Sequence, residues 1–137
     1  MPIYKERIKD CKYYIERSMR EMGFAVNDNY TNEMSEGECA VVYSQFDNEP
    51  DTQESYWNTA WCKVVFCIHN NNDIPQKISS VLRKVTRDVE KSEAPACTSF
   101  YFTDTDVIPL GTTNRVEMNC RYSFEIDWED PNSELIN

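Results

Sequence analysis

The run from Arg115 to Glu129 constrains this chain more than any other segment. Val116, Met118, Cys120, Tyr122, Phe124, Ile126 and Trp128 alternate without a break with Arg115, Glu117, Asn119, Arg121, Ser123, Glu125, Asp127 and Glu129. Successive side chains on a strand point to opposite faces, so this run makes one wholly apolar face and one wholly polar face. At about 3.3 Å per residue it spans about 50 Å, against roughly 17–20 Å for an ordinary strand. A 137-residue globule is hardly wide enough to cover it. Part of the strand is therefore expected to lie against something outside the chain.

The other elements follow from periodicity. Residues 3–22 read as an amphipathic helix, with Ile8, Cys11, Ile15, Met19 and Met22 at spacings of three and four. Lys5, Lys9, Lys12, Glu16 and Arg20 take its other faces, and Gly23 suits its end. Phe24 and Val26 begin an exit segment. Cys39 to Phe46 reads as a strand, Asp47 to Ser55 (with Pro50) as an exposed acidic loop, and Tyr56 to His69 as a second long strand. On that strand Cys62, Val64, Phe66 and Ile68 share one face, and Trp61, Lys63, Val65, Cys67 and His69 share the other. Asp73 with Gln76 three residues on forms a capping-box pattern, and Pro75 is tolerated in a first turn. Ile74, Ile78, Val81, Leu82, Val85 and Val89 give this second helix a continuous apolar face.

Thr98 to Phe102 opens a third strand, and a connection from Thr103 to Asn114, containing Pro109 and Gly111, leads to the terminal one. The predicted order is α-β-β-α-β-β. Two one-faced helices and a sheet with one apolar face predict an α+β two-layer sandwich, mainly antiparallel, with both helices on one face. A single domain is expected over residues 1–130, followed by a flexible tail over 131–137.

Charge narrows the function classes. The formal net charge is −10, and residues 23–60 hold eight acids with no Lys or Arg, while residues 104–137 hold eight acids against two bases. Affinity for nucleic acid comes largely from cations that neutralise phosphates, and no basic stripe exists here. Specific nucleic-acid binding and attachment to anionic membranes are not expected. No apolar run approaches the roughly 18 residues that cross a bilayer, and the start lacks the apolar core of a signal peptide. A chain folded in a reducing cytosol is expected, with most of its six cysteines acting as small buried hydrophobes.

Reactive constellations are sparse. His69 is the only histidine, there are three glycines, and no nucleophile elbow, Walker or dinucleotide fingerprint is present. Cys62 and Cys67 face opposite sides of a strand and cannot hold one ion together. Cys67 and His69 share a face and supply two ligands, where a structural zinc site needs four. Asp104 and Asp106 share parity beside a turn, where acids are ordinarily just solvated. No catalytic residue, metal ligand set or cofactor site is assigned, and the chain is read as non-enzymatic. The polar face of the last strand mixes both signs, which suits subunit contacts whose charges set register and partner choice. Its candidate interface residues are Arg115, Glu117, Arg121, Glu125 and Asp127.

The capped helix Asp73 to Lys91, the strand Thr98 to Phe102, the loop Val107 to Asn114 and the strand Arg115 to Trp128 carry a resemblance. Together with the element order over nearly the whole chain, they resemble the tail terminator (tail completion, neck) proteins of long-tailed bacteriophages. The resemblance implies a virion protein, assembled in the host cytoplasm, that forms a homo-oligomeric ring, commonly a hexamer. Such a ring caps the tail tube, ends its polymerisation and joins the tail to a head-side connector or neck protein, with the sheath protein a further partner where the tail is contractile. DNA passes through the channel without being bound specifically. An acidic lining would repel it, and Asp47, Glu49, Asp51, Glu54, Asp104 and Asp106 are candidates for that lining. From a different class comes the alternative of a thiol-rich cytosolic protein holding a metal or small ligand through Cys67, His69 and remote cysteines.

Overall fold

The terminal strand sits inside the sheet, with a neighbour along each edge. A computed structural model describes residues 3–28, 33–50, 55–69, 73–91 and 99–127, with side-chain packing for 12–28, 33–47, 59–69, 73–91 and 99–123. Two long strands, β3 (Ser55–His69) and β5 (Thr113–Asp127), pair antiparallel at all fifteen positions, from Ser55 opposite Asp127 to His69 opposite Thr113. β2 (Glu38–Pro50) flanks β3, and β4 (Ser99–Leu110) flanks β5 as far as Ser123. β1 (Ala25–Asn27) pairs in parallel with the start of β2, giving the order β1-β2-β3-β5-β4. β3 thus pairs the backbone of the terminal strand along its whole described length. Trp128 to Asp130 and the tail over 131–137 lie outside the described residues.

The period-two pattern then sorts the side chains. Val116, Met118, Cys120 and Tyr122 of β5 join Cys62, Val64 and Phe66 of β3 and Cys39 and Val41 of β2 in one buried cluster. Two helices, α1 (Ile3–Glu21) and α2 (Ile74–Glu90), cover that face, contributing Ile15 and Met19 from α1 and Val81, Val85 and Val89 from α2. This is the expected α+β arrangement: two helices packed together and against a mostly antiparallel open sheet.

Polar contacts fix the two helices to each other. Lys84 Nζ of α2 reaches Glu21 Oε1 of α1 at 2.8 Å and Asp88 Oδ2 at 3.0 Å. The fully buried Ser18 donates its hydroxyl to Asp88 Oδ2 at 2.8 Å. Desolvation pushes the Asp88 carboxyl up, but the hydrogen bonds from Ser18 and Lys84 and the charges of Lys84 and Arg87 outweigh it and hold the group below its ordinary value.

Helix α1 ends as its sequence suggests. Gly23 has φ 95°, its N–H bonds the Arg20 carbonyl at 3.0 Å, and the Phe24 N–H bonds the Met19 carbonyl at 3.1 Å. These two bonds make a Schellman motif, with Met19 and Phe24 both in the core. Helix α2 starts differently from expectation. Asp73 occupies the N-cap position, but at φ −93° and ψ 7° its side chain makes no capping hydrogen bond. That backbone lies away from the extended conformation that carries a cap side chain over the first amides. Leu82, expected on the apolar face, is 40% exposed. The burial stripe runs along Val81, Val85 and Val89, four residues apart, which leaves Leu82 at its margin.

Three stretches expected outside the sheet belong to it. The exit segment after Gly23 becomes β1. The acidic stretch after Phe46 continues β2 to Pro50 opposite Tyr56, because backbone pairing needs no apolar side chains. The connection after Phe102 is mostly β4, which keeps Pro109 because an outer strand tolerates a missing N–H. β4 and β5 are joined by the two-residue turn Gly111-Thr112, with positive φ (79°) at Gly111 alone, the pattern of a type II′ hairpin.

The packing predicts a contrast. Met118→Ala, in the centre of the buried face, should lower unfolding free energy by about 3 kcal/mol, and Leu82→Ala by no more than about 0.5 kcal/mol, both read from urea titrations. A second prediction concerns pH. Because the folded-state pKa of Asp88 is depressed, its stabilisation is present above the ordinary carboxylate range and is lost as pH falls through the folded value. Asp88→Asn should therefore show a smaller fall in urea midpoint than the unaltered chain between neutral and acid pH.

A candidate interaction surface on the open sheet face

Opposite the helices, the sheet presents the polar side of its alternation. Register assembles one row across four strands: Gln45 of β2, Trp61 of β3, Arg121 of β5 and Tyr101 of β4. The Arg121 guanidinium carbon lies 4.8 Å from the Trp61 ring centroid and 5.3 Å from that of Tyr101. A cation within about 6 Å of an aromatic face is held by the ring quadrupole. Arg121 Nε makes no hydrogen bond among the described residues. Trp61 is oriented by Asp47, whose Oδ2 accepts from Trp61 Nε1 at 3.1 Å while its Oδ1 accepts from Gln45 Nε2 at 2.8 Å. The result is a guanidinium–aromatic strip whose Tyr101 end is 43% exposed.

The neighbouring rows hold a tighter charge cluster. Glu117 is 8% exposed, on the face opposite the two described helices. Arg115 Nε lies 3.1 Å from Glu117 Oε2, and Lys63 Nζ lies 3.4 Å from Oε1. Two cations thus neutralise one buried carboxylate. Directly opposite Glu117, on β4, stands Asp106, a like-charge pair that costs stability in isolation and is offset here by those cations. Further along, Met34 caps Ala40, Val65 and Cys67 in a small second apolar cluster.

These contacts place each residue expected from the sequence. Arg115, Glu117 and Arg121 do share the open face, but Arg115 and Glu117 spend their charges on each other. The backbone of Glu125 pairs with Trp57 and that of Asp127 with Ser55; their side chains lie outside the described residues. The acidic candidates divide between the two sides of the sheet. Asp47 is exposed on β2. Asp104, exposed at a β4 bulge, accepts from Thr103 Oγ1 at 2.8 Å and Asn119 Nδ2 at 2.9 Å, with exposed Asp106 beyond it. Three strand spacings, about 14 Å, separate the two groups. Glu49 lies on β2 opposite Trp57, without described side-chain contacts, and Asp51 and Glu54 lie outside the described residues.

Cys67 and His69 do line one wall, that of a cavity of about 270 Å³ shared with Phe24, Glu36 and Lys77. The Cys67 thiol donates to the Met34 carbonyl at 3.4 Å. Burial pushes it up, against the nearby Arg115 charge. Cys39 is pushed up to about 12, chiefly by burial. Both thiols are held protonated, the form that neither attacks nor ligates well. Cys39, Cys62 and Cys120 lie in the helix-side core, across the sheet from Cys67.

Sequence reasoning missed Trp61 and Tyr101. Trp61 shares strand parity with Lys63, which signals the face. Nothing local signals that Trp61 and Tyr101 enclose Arg121, because that depends on pairing between distant segments. Compared with known protein families and with curated proteins, the chain matches none.

The charge cluster yields a paired prediction. Glu117→Gln removes the counter-charge of two cations and should cost on the order of 2 kcal/mol. Asp106→Asn relieves the like-charge opposition and should stabilise by roughly 0.2–1 kcal/mol. Urea titration at low salt reads both.

Proposed function

We propose that this chain is a non-enzymatic virion structural protein of the tail-terminator kind, which assembles into a ring at the end of a phage tail tube. The observation that carries the reading is the Trp61–Arg121–Tyr101 strip on the sheet face opposite the two described helices. Trp, Tyr and Arg are the residues that dominate binding energy at protein interfaces, where they sit packed and ready to be desolvated. Here the arginine is already held between two rings, so docking costs little further ordering. The element order behind the resemblance, helix–strand–strand–helix–strand–strand, is supported with one short parallel strand added.

Within that reading, the open face around Arg121 meets a carboxylate-bearing surface of the next subunit, and six such heterologous contacts close a hexamer. The tail tube protein and a head-side connector or neck protein are the further partners, with the sheath protein added in a contractile tail. Both sides of the open face carry acids, Asp47 on β2 and Asp104 and Asp106 on β4. A ring built with either side inward therefore has an acidic channel, through which DNA moves without specific binding.

Native mass spectrometry and sedimentation of the purified chain test this. A closed oligomer is expected, in solution or on isolated tail tubes, and Arg121→Glu should weaken its association about 30-fold while leaving the far-ultraviolet circular dichroism unchanged. A chain that stays monomeric at its highest soluble concentration and also ignores tube ends sinks the proposal. An oligomer indifferent to Arg121→Glu removes the strip as its interface.

A further inference from the structure

The central strand pairing sets Cys62 of β3 opposite Cys120 of β5. Both are thiols, at 1% and 0% exposure, and both belong to the helix-side core. They stand in the middle of a row that runs from Tyr43 on β2 through Cys62 and Cys120 to Phe102 on β4. Directly opposed residues of antiparallel strands have Cα atoms about 4.5 or 5.5 Å apart, depending on their place in the hydrogen-bond ladder. Both spacings fall inside the roughly 4.4–6.8 Å that a disulfide bridges. The other cysteines with described side chains are not so placed: Cys39 faces Phe66, and Cys67 faces Arg115 on the far side of the sheet.

We propose that Cys62 and Cys120 form a cross-strand dithiol site that closes to a disulfide by exchange with a small-molecule disulfide such as oxidised glutathione. One thiolate attacks the glutathione disulfide, forming a mixed disulfide and releasing one glutathione thiolate. The second cysteine thiolate attacks the protein-bound sulfur, closes the Cys62–Cys120 bond and releases the second glutathione. The two protein thiols lose two electrons and two protons, and one glutathione disulfide is reduced to two glutathione molecules. Because both sulfurs are buried, exchange requires the sheet to open or the chain to be folding. Once closed, the bond holds β3 and β5 in the register that sends apolar side chains to the helices, since a slip of one residue would turn them to the other face. The site rests on the strand register alone and stands apart from the proposed ring.

The test refolds the full reduced chain in a glutathione redox buffer to equilibrium, then alkylates, digests without reductant and maps the peptides by mass. The expected product joins the Cys62 peptide to the Cys120 peptide with loss of two hydrogen masses. Cys62→Ala and Cys120→Ala should each abolish that product, and Cys39→Ala should retain it. Recovery of both cysteines in alkylated form overturns the proposal. So does capture of either by Cys11, Cys97 or glutathione as the equilibrium product. The unaltered chain alone decides the matter, so a variant that fails to fold leaves the result intact.

Discussion

The antiparallel pairing of β3 with β5 is the constraint on which the rest of the molecule depends. It joins segments far apart in sequence, with a whole helix and an outer strand between them. Such a pairing incurs the entropy of closing a long loop before its contacts repay it. Once made, it decides everything lateral. β2 and β4 find their places on the outer edges of this pair, and the alternation of β5 assigns each side chain to a face. The two helices are then needed to cover one face only, and their mutual contacts through Ser18, Lys84, Glu21 and Asp88 fix them as a layer.

The same register explains why the second face is more than a wet surface. A polar residue in the middle of four strands is surrounded by side chains from its neighbours, and Glu117 and Ser123 are buried on this face. Glu117 stays there because Arg115 and Lys63 compensate its charge. Arg121 stays because Trp61 and Tyr101 stack on it. The first cluster turns two cations onto one buried carboxylate within the subunit. The second fixes a guanidinium in place with an aromatic flank at the surface, and that difference selects Arg121 over Arg115 as the group suited to meet a partner.

Much of the fold was legible in the sequence because its signals are local. The stripe Ile15, Met19 and Met22, the stripe Val81, Val85 and Val89, and the alternations along β3 and β5 each reveal an element without knowledge of any other. What was not legible depends on partners. β1 is three residues long and exists through parallel pairing with Glu38 to Ala40. The far end of β2 is polar and pairs by backbone alone. β4 carries Pro109, which reads as a strand breaker unless the strand is known to be an outer one. Asp73 looked like a capping side chain because residue type was visible and its φ and ψ were not. The open face was foreseen as a surface of mixed charge, and Arg121 was among its residues. The division between a spent pair and an aromatic-flanked cation came only with register, since Tyr101 and Trp61 reach Arg121 from separate strands.

The outer strands bear on how such a sheet associates. An unpaired strand edge invites another strand, and natural sheets discourage this with bulges, proline and charge. β2 has an irregularity between Tyr43 and Gln45, Pro50 at its end and Asp47 beside it. β4 has one between Phe102 and Thr105, with Pro109, Asp104 and Asp106. Because both flanks are acidic, laying one copy's edge along another's sets like charges together. Edge-to-edge growth is therefore opposed twice, by geometry and by charge. The open face offers the opposite condition, a cation held in place between the two acidic flanks. In the ring we propose, a neighbouring copy that brings one of its acidic flanks to that cation would satisfy both surfaces, and because the two surfaces differ, the contact would be head-to-tail, the kind that closes into a ring when its rotation allows.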